Sequence, residues 1–235
     1  MVGHMDTSRT HRLLAPLFGR PPDINGRGQY RNSVVMVLLA QLEGRLQLVF
    51  EKRPSHIRQG DEVSFPGGHR DAADRHSLDT ALRETEEELG LTAGHLDVLG
   101  RLDTVISPTG IIVEAFVALA AINSLTALAL SPEEVAYVFS RPLNWFMAQE
   151  PQVYDIMLQA VPYRCGGDGE RTYTFPAKEL ALPARYHEAW PCYSQQVYVY
   201  DCRGEVVWGI TARLVRDLVE RIGLLKGPQR TSLGL

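Results

Sequence analysis

GGHRDAADRHSLDTALRETEEELGL, residues Gly67 to Leu91, is the stretch that decides how this chain is read. It opens on a glycine pair, directly after the β-type run Val63–Phe65 and Pro66. The spacing predicts a helix from about His76 to Leu89, stopped by Gly90. At about 100° per residue, Leu78, Ala81, Leu82, Thr85 and Leu89 fall on one face, which must be the packed one. Glu84, Glu87 and Glu88 gather on the opposite side at i, i+3 and i+4, with Glu86 off toward the flank. Like charges at this spacing repel by roughly a few tenths of a kcal/mol per pair. A hard divalent cation removes that cost, and Mg²⁺ typically takes one or two carboxylates plus waters and phosphate oxygens. An isolated E-x-x-E-E also fits a solvated acidic face, so the surroundings have to decide.

Outward from this helix, strands and helices mix without a regular alternation. Ser33–Leu39 and Leu46–Glu51 read as buried strands joined by a turn at Gly44. Leu96–Val105 and Ile111–Ala120 read as two more, then Val135–Phe139 as a short strand and Leu143–Ala148 as a short helix. Gln196–Asp201 and Glu205–Trp208 suit a hairpin, and Thr211–Ile222 an amphipathic closing helix. This order favours an α+β layout over a doubly wound sheet. Residues 1–30 form an N-terminal extension with a short helix near Arg9–Leu17, 31–224 the main domain, and 225–235 a tail. Within the domain, 151–190 reads as an insert, with a hairpin tip at Gly166-Gly167-Asp168-Gly169.

At 235 residues, 45% hydrophobic and 22% charged, the chain has the composition of an ordinary globular domain. Its formal charge of -4 argues against a nucleic-acid partner. Cys165, Cys192 and Cys202 form no C-x-x-C pair, which points to small buried side chains and a reducing, cytoplasmic setting. The longest apolar run, Phe116–Ile122, is too short to span a bilayer, and no signal peptide is read at the start. His56, His69, His76 and His187 show no metal-ligand spacing, and neither a nucleophile elbow nor a P-loop is present.

The helix and its glycine turn resemble the Nudix hydrolase motif, G-x5-E-x7-R-E-U-x-E-E-x-G-U. Arg83, Glu84, Glu87, Glu88, Gly90 and Leu91 match it position for position. Asp74 stands at the first acidic position, with one extra residue before Arg83, and Thr85 replaces an aliphatic residue. The resemblance implies a Nudix-type α/β/α sandwich with a mixed sheet and a metal-binding loop-helix-loop. It assigns Mg²⁺ or Mn²⁺ to Glu84, Glu87 and Glu88, with the Gly67 carbonyl completing the site. It pairs Asp74 with Arg83 as a structural brace. Catalysis falls to the three glutamates, with Glu134 a further candidate base.

A second resemblance, to the coenzyme A pyrophosphatase branch, rests on Arg53–Gly68 (RPSHIRQGDEVSFPGG), on Asp71 and Asp74 as D-x-x-D, on Pro132–Val135 and on Trp208–Arg213 (WGITAR). Pro54 replaces the usual serine, the branch's histidine is missing, and the upstream block is one residue short. The implied reaction is hydrolysis of coenzyme A or its derivatives to 3′,5′-ADP and 4′-phosphopantetheine. Arg53, Arg58 and Arg70 are the candidates for holding phosphate through charge-assisted hydrogen bonds. Trp208 reads first as a core aromatic, with contact to an adenine ring as the alternative. Two other functions compete: a pyrophosphatase for ADP-ribose or another nucleoside diphosphate sugar, and a non-catalytic ligand sensor of the same fold. The expected partner is a small nucleoside diphosphate substrate, without nucleic acid or membrane, and a homodimer is the candidate assembly.

Overall fold

A computed structural model of the chain describes residues 7–167 and 169–224. The expected tail, 225–235, lies outside these residues, as does Asp168 of the expected hairpin tip. After helix α1 (Thr7–Leu14) and a 3-10 turn at Ala15–Leu17, the chain enters β1 (Arg31–Leu42) and returns as β2 (Arg45–Lys52). Then come β3 (Val63–Ser64), β4 (Gly67–His69), α2 (Ser77–Leu89), β5 (Leu96–Arg101), β6 (Val105–Ser107) and β7 (Ile111–Ala120). β8 (Tyr137–Pro142) leads into α3 (Leu143–Ala148). These strands make one eight-stranded mixed sheet, with β1 and β7 parallel from Arg31↔Ile111 to Ala40↔Ala120 and the other pairings antiparallel.

Successive side chains of β1 feed two separate cores. Val34, Met36 and Leu38 pack with Ala81 and Leu89 of α2. Val37 and Leu39 pack on the other side, with Phe146 of α3 and with Leu214, Val215 and Leu218 of the closing helix α4 (Gly209–Leu224). A strand covered on both faces loses the alternation of a half-exposed one, hence the near-continuous apolar run in β1. The outcome is the α/β/α sandwich expected from sequence. Burying each such Val or Leu stabilises the fold by roughly 1.5–3 kcal/mol. Thr85, which departs from the aliphatic pattern, is fully buried, and its hydroxyl donates to the Ala81 carbonyl at 2.6 Å. Its polar atom is satisfied within the helix, so the site tolerates it.

The fold departs from several expectations. Leu96–Val105 is the strand β5 and the start of a second, β6, with residues 102–104 between them; the register shift at Val98 and Gly100 lies within β5. Residues 151–190 contain β9 (Gln152–Leu158), which carries no strand signal in its sequence. Its side chains are exposed or half-buried on both faces, so no hydrophobic alternation marks it. The hairpin around residue 168 is β10 (Tyr163–Cys165) with β11 (Arg171–Tyr173). β9 pairs with β12 (Tyr193–Asp201), which pairs with β13 (Val206–Trp208) in a separate three-stranded sheet. Of the cysteines only Cys202 is buried; Cys165 and Cys192 are exposed because this outer region has little core of its own. Trp208 is also exposed, since Val207 takes the inward position of β13. Among the described residues no helix is long and apolar enough to cross a membrane.

Candidate active site

The site is built where β4, β2 and α2 meet. Gly67 lies against β1, and Gly68 against Glu84 of α2, so closely that neither tolerates a side chain without movement. A Cβ on Gly67 would lie 2.2 Å from the Val34 carbonyl oxygen, and one on Gly68 2.3 Å from Glu84 Oε1. This close approach lets the Gly67 amide donate to Glu88 Oε2 at 2.8 Å. Gly90, at φ 71°, ends the helix in the left-handed conformation that glycine favours.

The three glutamates expected to gather have three different environments. Glu88 is buried, against the expectation of a face opposite the core. At about 100° per residue it sits on the flank of the apolar stripe, and β2 and β4 close over it. Glu84 is half-buried beside Gly68. Glu87 turns outward and receives Arg83 Nη1 at 2.8 Å. The residue that sequence reasoning misses is Glu51. It is fully buried at the end of β2, accepts from Ser64 Oγ at 2.8 Å, and lies close enough to Glu88 for each carboxyl to feel the other. A signal for it exists: Gln47, Val49 and Glu51 share one strand face, so the carboxylate continues a buried row.

Burial pushes the Glu88 carboxyl up from its ordinary value, and the neighbouring Glu51 carboxylate pushes it further. Burial likewise raises Glu51 and Glu84. The Glu134 charge raises all three, which puts it within electrostatic reach of the group. Its loop is tied to the end of α2 by Ser131 N–H to the Glu88 carbonyl at 3.0 Å, and to β2 by Ala136 N–H to the Lys52 carbonyl at 2.8 Å.

Two carboxylates in one desolvated place stay ionised only with a cation between or beside them. Oxygen Oε2 of Glu51 is buried without any hydrogen-bond partner, as an unfilled ligand position would be. Among the described residues no three acidic, imidazole or thiol groups form a closed metal cage. The chemistry of the donors, buried carboxylate oxygens with Glu51 Oε2 unpartnered, is that of hard-cation ligands, and a cation there would take much of its shell from water and substrate oxygens. The Gly67 amide donates to Glu88, so the turn that carries the Gly67 carbonyl lies beside these carboxylates.

Asp74 and Arg83 lie together, with Nη2 3.2 Å from Oδ2. The Arg83 and Asp71 hydrogen bonds hold the Asp74 carboxyl down at about 2. Arg53 and Arg58 line a cleft of about 500 Å³ on the face of the sheet away from α2, joined there by Arg31 and Trp208. Arg70 does not reach that cleft. Its guanidinium donates to the Asp74 carbonyl at 2.9 Å and the Arg75 carbonyl at 2.6 Å, closing the loop before α2.

A loop-helix unit with buried carboxylates behind a glycine turn is what a NUDIX domain model matches over residues 29–152. The chain belongs to the Nudix family. The human mitochondrial coenzyme A diphosphatase NUDT8 is 36% identical over 172 residues, 72% of this chain and 66% of that protein. An uncharacterized Nudix hydrolase NudL of Enterobacter sp. (strain 638) is 28% identical over 214 residues, 91% of each. Among solved structures, a C. elegans Ap4A hydrolase binary complex aligns over 48% of this chain and 80% of its own, at 20% identity and a TM-score of 0.40. Membership rests on the domain match and the sequence relatives. As a Nudix hydrolase the protein is an enzyme of pyrophosphate cleavage.

Proposed function

We propose that this Nudix enzyme hydrolyses the pyrophosphate bond of coenzyme A or its derivatives, giving 3′,5′-ADP and 4′-phosphopantetheine, with Mg²⁺ or Mn²⁺. The observation that carries the reading is the buried Glu51–Glu88 pair beside Glu84, set behind the Gly67–Gly68 turn. The similarity to a protein named a coenzyme A diphosphatase supports the substrate. Free thiols in all three cysteines are compatible with a cytoplasmic setting.

In this reading Glu84 and Glu88 hold the cation, and Glu51 completes the anionic pocket behind Glu88. When bound, the divalent ion lowers the pKa of water and neutralises charge on the bridging phosphates. Glu134, exposed and within electrostatic reach of the carboxylates, accepts the proton as water attacks one phosphorus. The other phosphate departs in line. Gly67 keeps Glu88 oriented through its amide, and Arg83 does the same for Glu84, 3.0 Å from Oε1. Glu87, engaged by Arg83 and more than half exposed, contributes through that arginine or through water.

The test is a substrate panel of coenzyme A, acyl-coenzyme A, ADP-ribose, NADH, diadenosine polyphosphates and nucleoside triphosphates with Mg²⁺ and with Mn²⁺, products identified by mass. Coenzyme A is expected to be cut fastest, to 3′,5′-ADP. Preference for ADP-ribose over every coenzyme A compound overturns the substrate, and no turnover of any compound overturns catalysis.

A further inference from the structure

The three-stranded sheet ends on a strand with one open side. β9 pairs only with β12, in an unbroken register from Gln152↔Val199 to Leu158↔Tyr193. Among the described residues no main-chain partner lies along its other edge. An antiparallel strand turns alternate N–H and C=O groups outward, so this edge carries a row of unpaired donors and acceptors that templates a further strand. Native edges are usually guarded by lysine, proline or a bulge. Gln152–Leu158 (QVYDIML) has none of these. Its one charge, Asp155, is turned back toward β12, where it accepts from Ser194 Oγ at 2.8 Å. The apolar side chains are open to water: Val153, Tyr154, Ile156 and Met157 leave between 43% and 65% of their surface exposed. On β12, Tyr198 and Tyr200 pack into the main core. On the opposite face Tyr154 lies beside Val197 and Ile156 beside Gln195, with Tyr193 exposed at the end of the row.

We propose that β9 is the interface of a homodimer, in which a second copy of this chain pairs its own β9 antiparallel along the open edge, making one sheet of six strands. Antiparallel pairing is the arrangement a strand can make with itself about a twofold axis, so an edge of this kind is complementary to its own copy. The axis passes through one residue of the strand. Centred on Asp155, it sets the two aspartates directly opposite each other, which is unfavourable. Centred on Tyr154, it sets Gln152 against the partner's Ile156. Centred on Ile156, it pairs Ile156 with the partner's Ile156, Tyr154 with the partner's Leu158 and Asp155 with the partner's Met157. Apolar pairs then occupy the open face and the carboxylates stand apart, so the dimer takes this third register. The exposed parts of Val153, Tyr154, Ile156, Met157 and Tyr193 amount to on the order of 500 Å². A standard interface takes about 800 Å² from each partner, and weak ones less than about 600 Å². With the main chain of β9 added, the patch suits a dimer that dissociates on dilution. The interface lies outside the residues assigned to hydrolysis and stands whatever the substrate.

Sedimentation velocity of the full chain, from sub-micromolar to high micromolar concentration, tests this. The wild type is expected to pass from monomer to dimer across that range. Ile156→Lys sets two like charges opposite each other and is expected to stay monomeric throughout. Circular dichroism verifies that the variant is folded, and Tyr154→Lys, at a more exposed position, replaces it if it is not. Met157→Lys brings an ammonium opposite the partner's Asp155 and is expected to dimerise at least as tightly as the wild type. Hydrogen exchange of the β9 amides is expected to slow with rising concentration in the wild type and not in Ile156→Lys. A wild type that is monomeric throughout overturns the proposal. So does a dimer that Ile156→Lys leaves intact, because the interface then lies elsewhere. Slow exchange along β9 in the monomer also overturns it, because part of the same chain then covers the edge. If Ile156→Lys abolishes the dimer but Val153→Lys tightens it and Met157→Lys does not, the interface stands and the register is centred on Tyr154.

Discussion

Arg83 meets Asp74 side-on, with Nη2 3.2 Å from Oδ2 and Nε 3.4 Å from Oδ1. The same Nη2 lies 3.0 Å from Glu84 Oε1 and donates to the His69 carbonyl at 3.1 Å. One guanidinium thus joins the loop before α2, the β4 strand and a carboxylate of the site. Asp74 also accepts from the Asp71 amide and from Thr80 Oγ1, both at 2.9 Å.

That arrangement has a pH signature. The Arg83 hydrogen bond first, then the Asp71 amide, hold the Asp74 carboxyl at about 2, below its ordinary 3.8. A carboxyl depressed by folding stabilises the native state fully above its unfolded value. The contribution is lost as pH falls through the folded value. Urea unfolding midpoints of the wild type are therefore expected to drop between about pH 4 and pH 2. Asp74→Asn is expected to be less stable at neutral pH and to show a flatter decline across that window. Parallel curves for the two proteins would show that the pair contributes no stability.

The buried glutamates lead to an opposite expectation for metal and stability. Without divalent ions, Glu88→Gln removes a like charge from beside Glu51, so its melting temperature is expected to equal or exceed that of the wild type. At Mn²⁺ near a hundred times its Kd, the wild type is expected to gain roughly 5–10 °C. Glu88→Gln and Glu84→Gln are expected to gain little and to lose most turnover. An equal Mn²⁺ shift in all three proteins would remove these residues from the metal site.

Gly67 and Gly68 separate fold from function. A Cβ at Gly67 meets main-chain atoms, 2.2 Å from the Val34 oxygen and 2.6 Å from Val35 Cα. Gly67→Ala is expected to cost several °C or more in melting temperature, because β1 must move. A Cβ at Gly68 meets the end of a flexible side chain, the Glu84 carboxylate. Gly68→Ala is therefore expected to melt close to the wild type yet lose about a hundredfold in kcat, since a displacement near 1 Å at a reacting group has that effect. Full activity in Gly68→Ala would mean that Glu84 does not need its observed position.

How much of this is legible in the residues depends on whether the signal is local. The α2 helix, its Gly90 stop and the strand Ile111–Ala120 follow from periodicity and termination within one segment. The Asp74–Arg83 pairing is legible only through family resemblance, since the two stand nine positions apart across loop and helix. Glu51 and Glu88 come together across 37 positions, through the pairing of β2 with β3 and of β4 with β1, which no local pattern encodes. Arg70 shows the converse relation of sequence to space. It is close in sequence to the glycine turn, yet main-chain carbonyls hold it. A core place for Trp208 follows from the helix after it, while the alternation of β13 gives the inward place to Val207.

The Arg70 geometry gives the last expectation, which contrasts two arginines that sequence proximity treats alike. Dephospho-coenzyme A lacks the 3′-phosphate, and the absence of one charge-assisted hydrogen bond corresponds to roughly a tenfold effect or more. It is expected to be cut at least several-fold less efficiently than coenzyme A, measured as kcat/KM. Arg58 is exposed at the cleft and pairs with no acidic side chain among the described residues, so Arg58→Ala is expected to narrow that gap by lowering kcat/KM for coenzyme A alone. Arg70 donates to the Asp74 and Arg75 carbonyls, so Arg70→Ala is expected to leave the gap intact and instead lower the melting temperature by loosening the loop before α2. If Arg70→Ala narrowed the gap and Arg58→Ala did not, the phosphate would lie at the α2 end of the site, and the cleft would have no part in choosing the substrate.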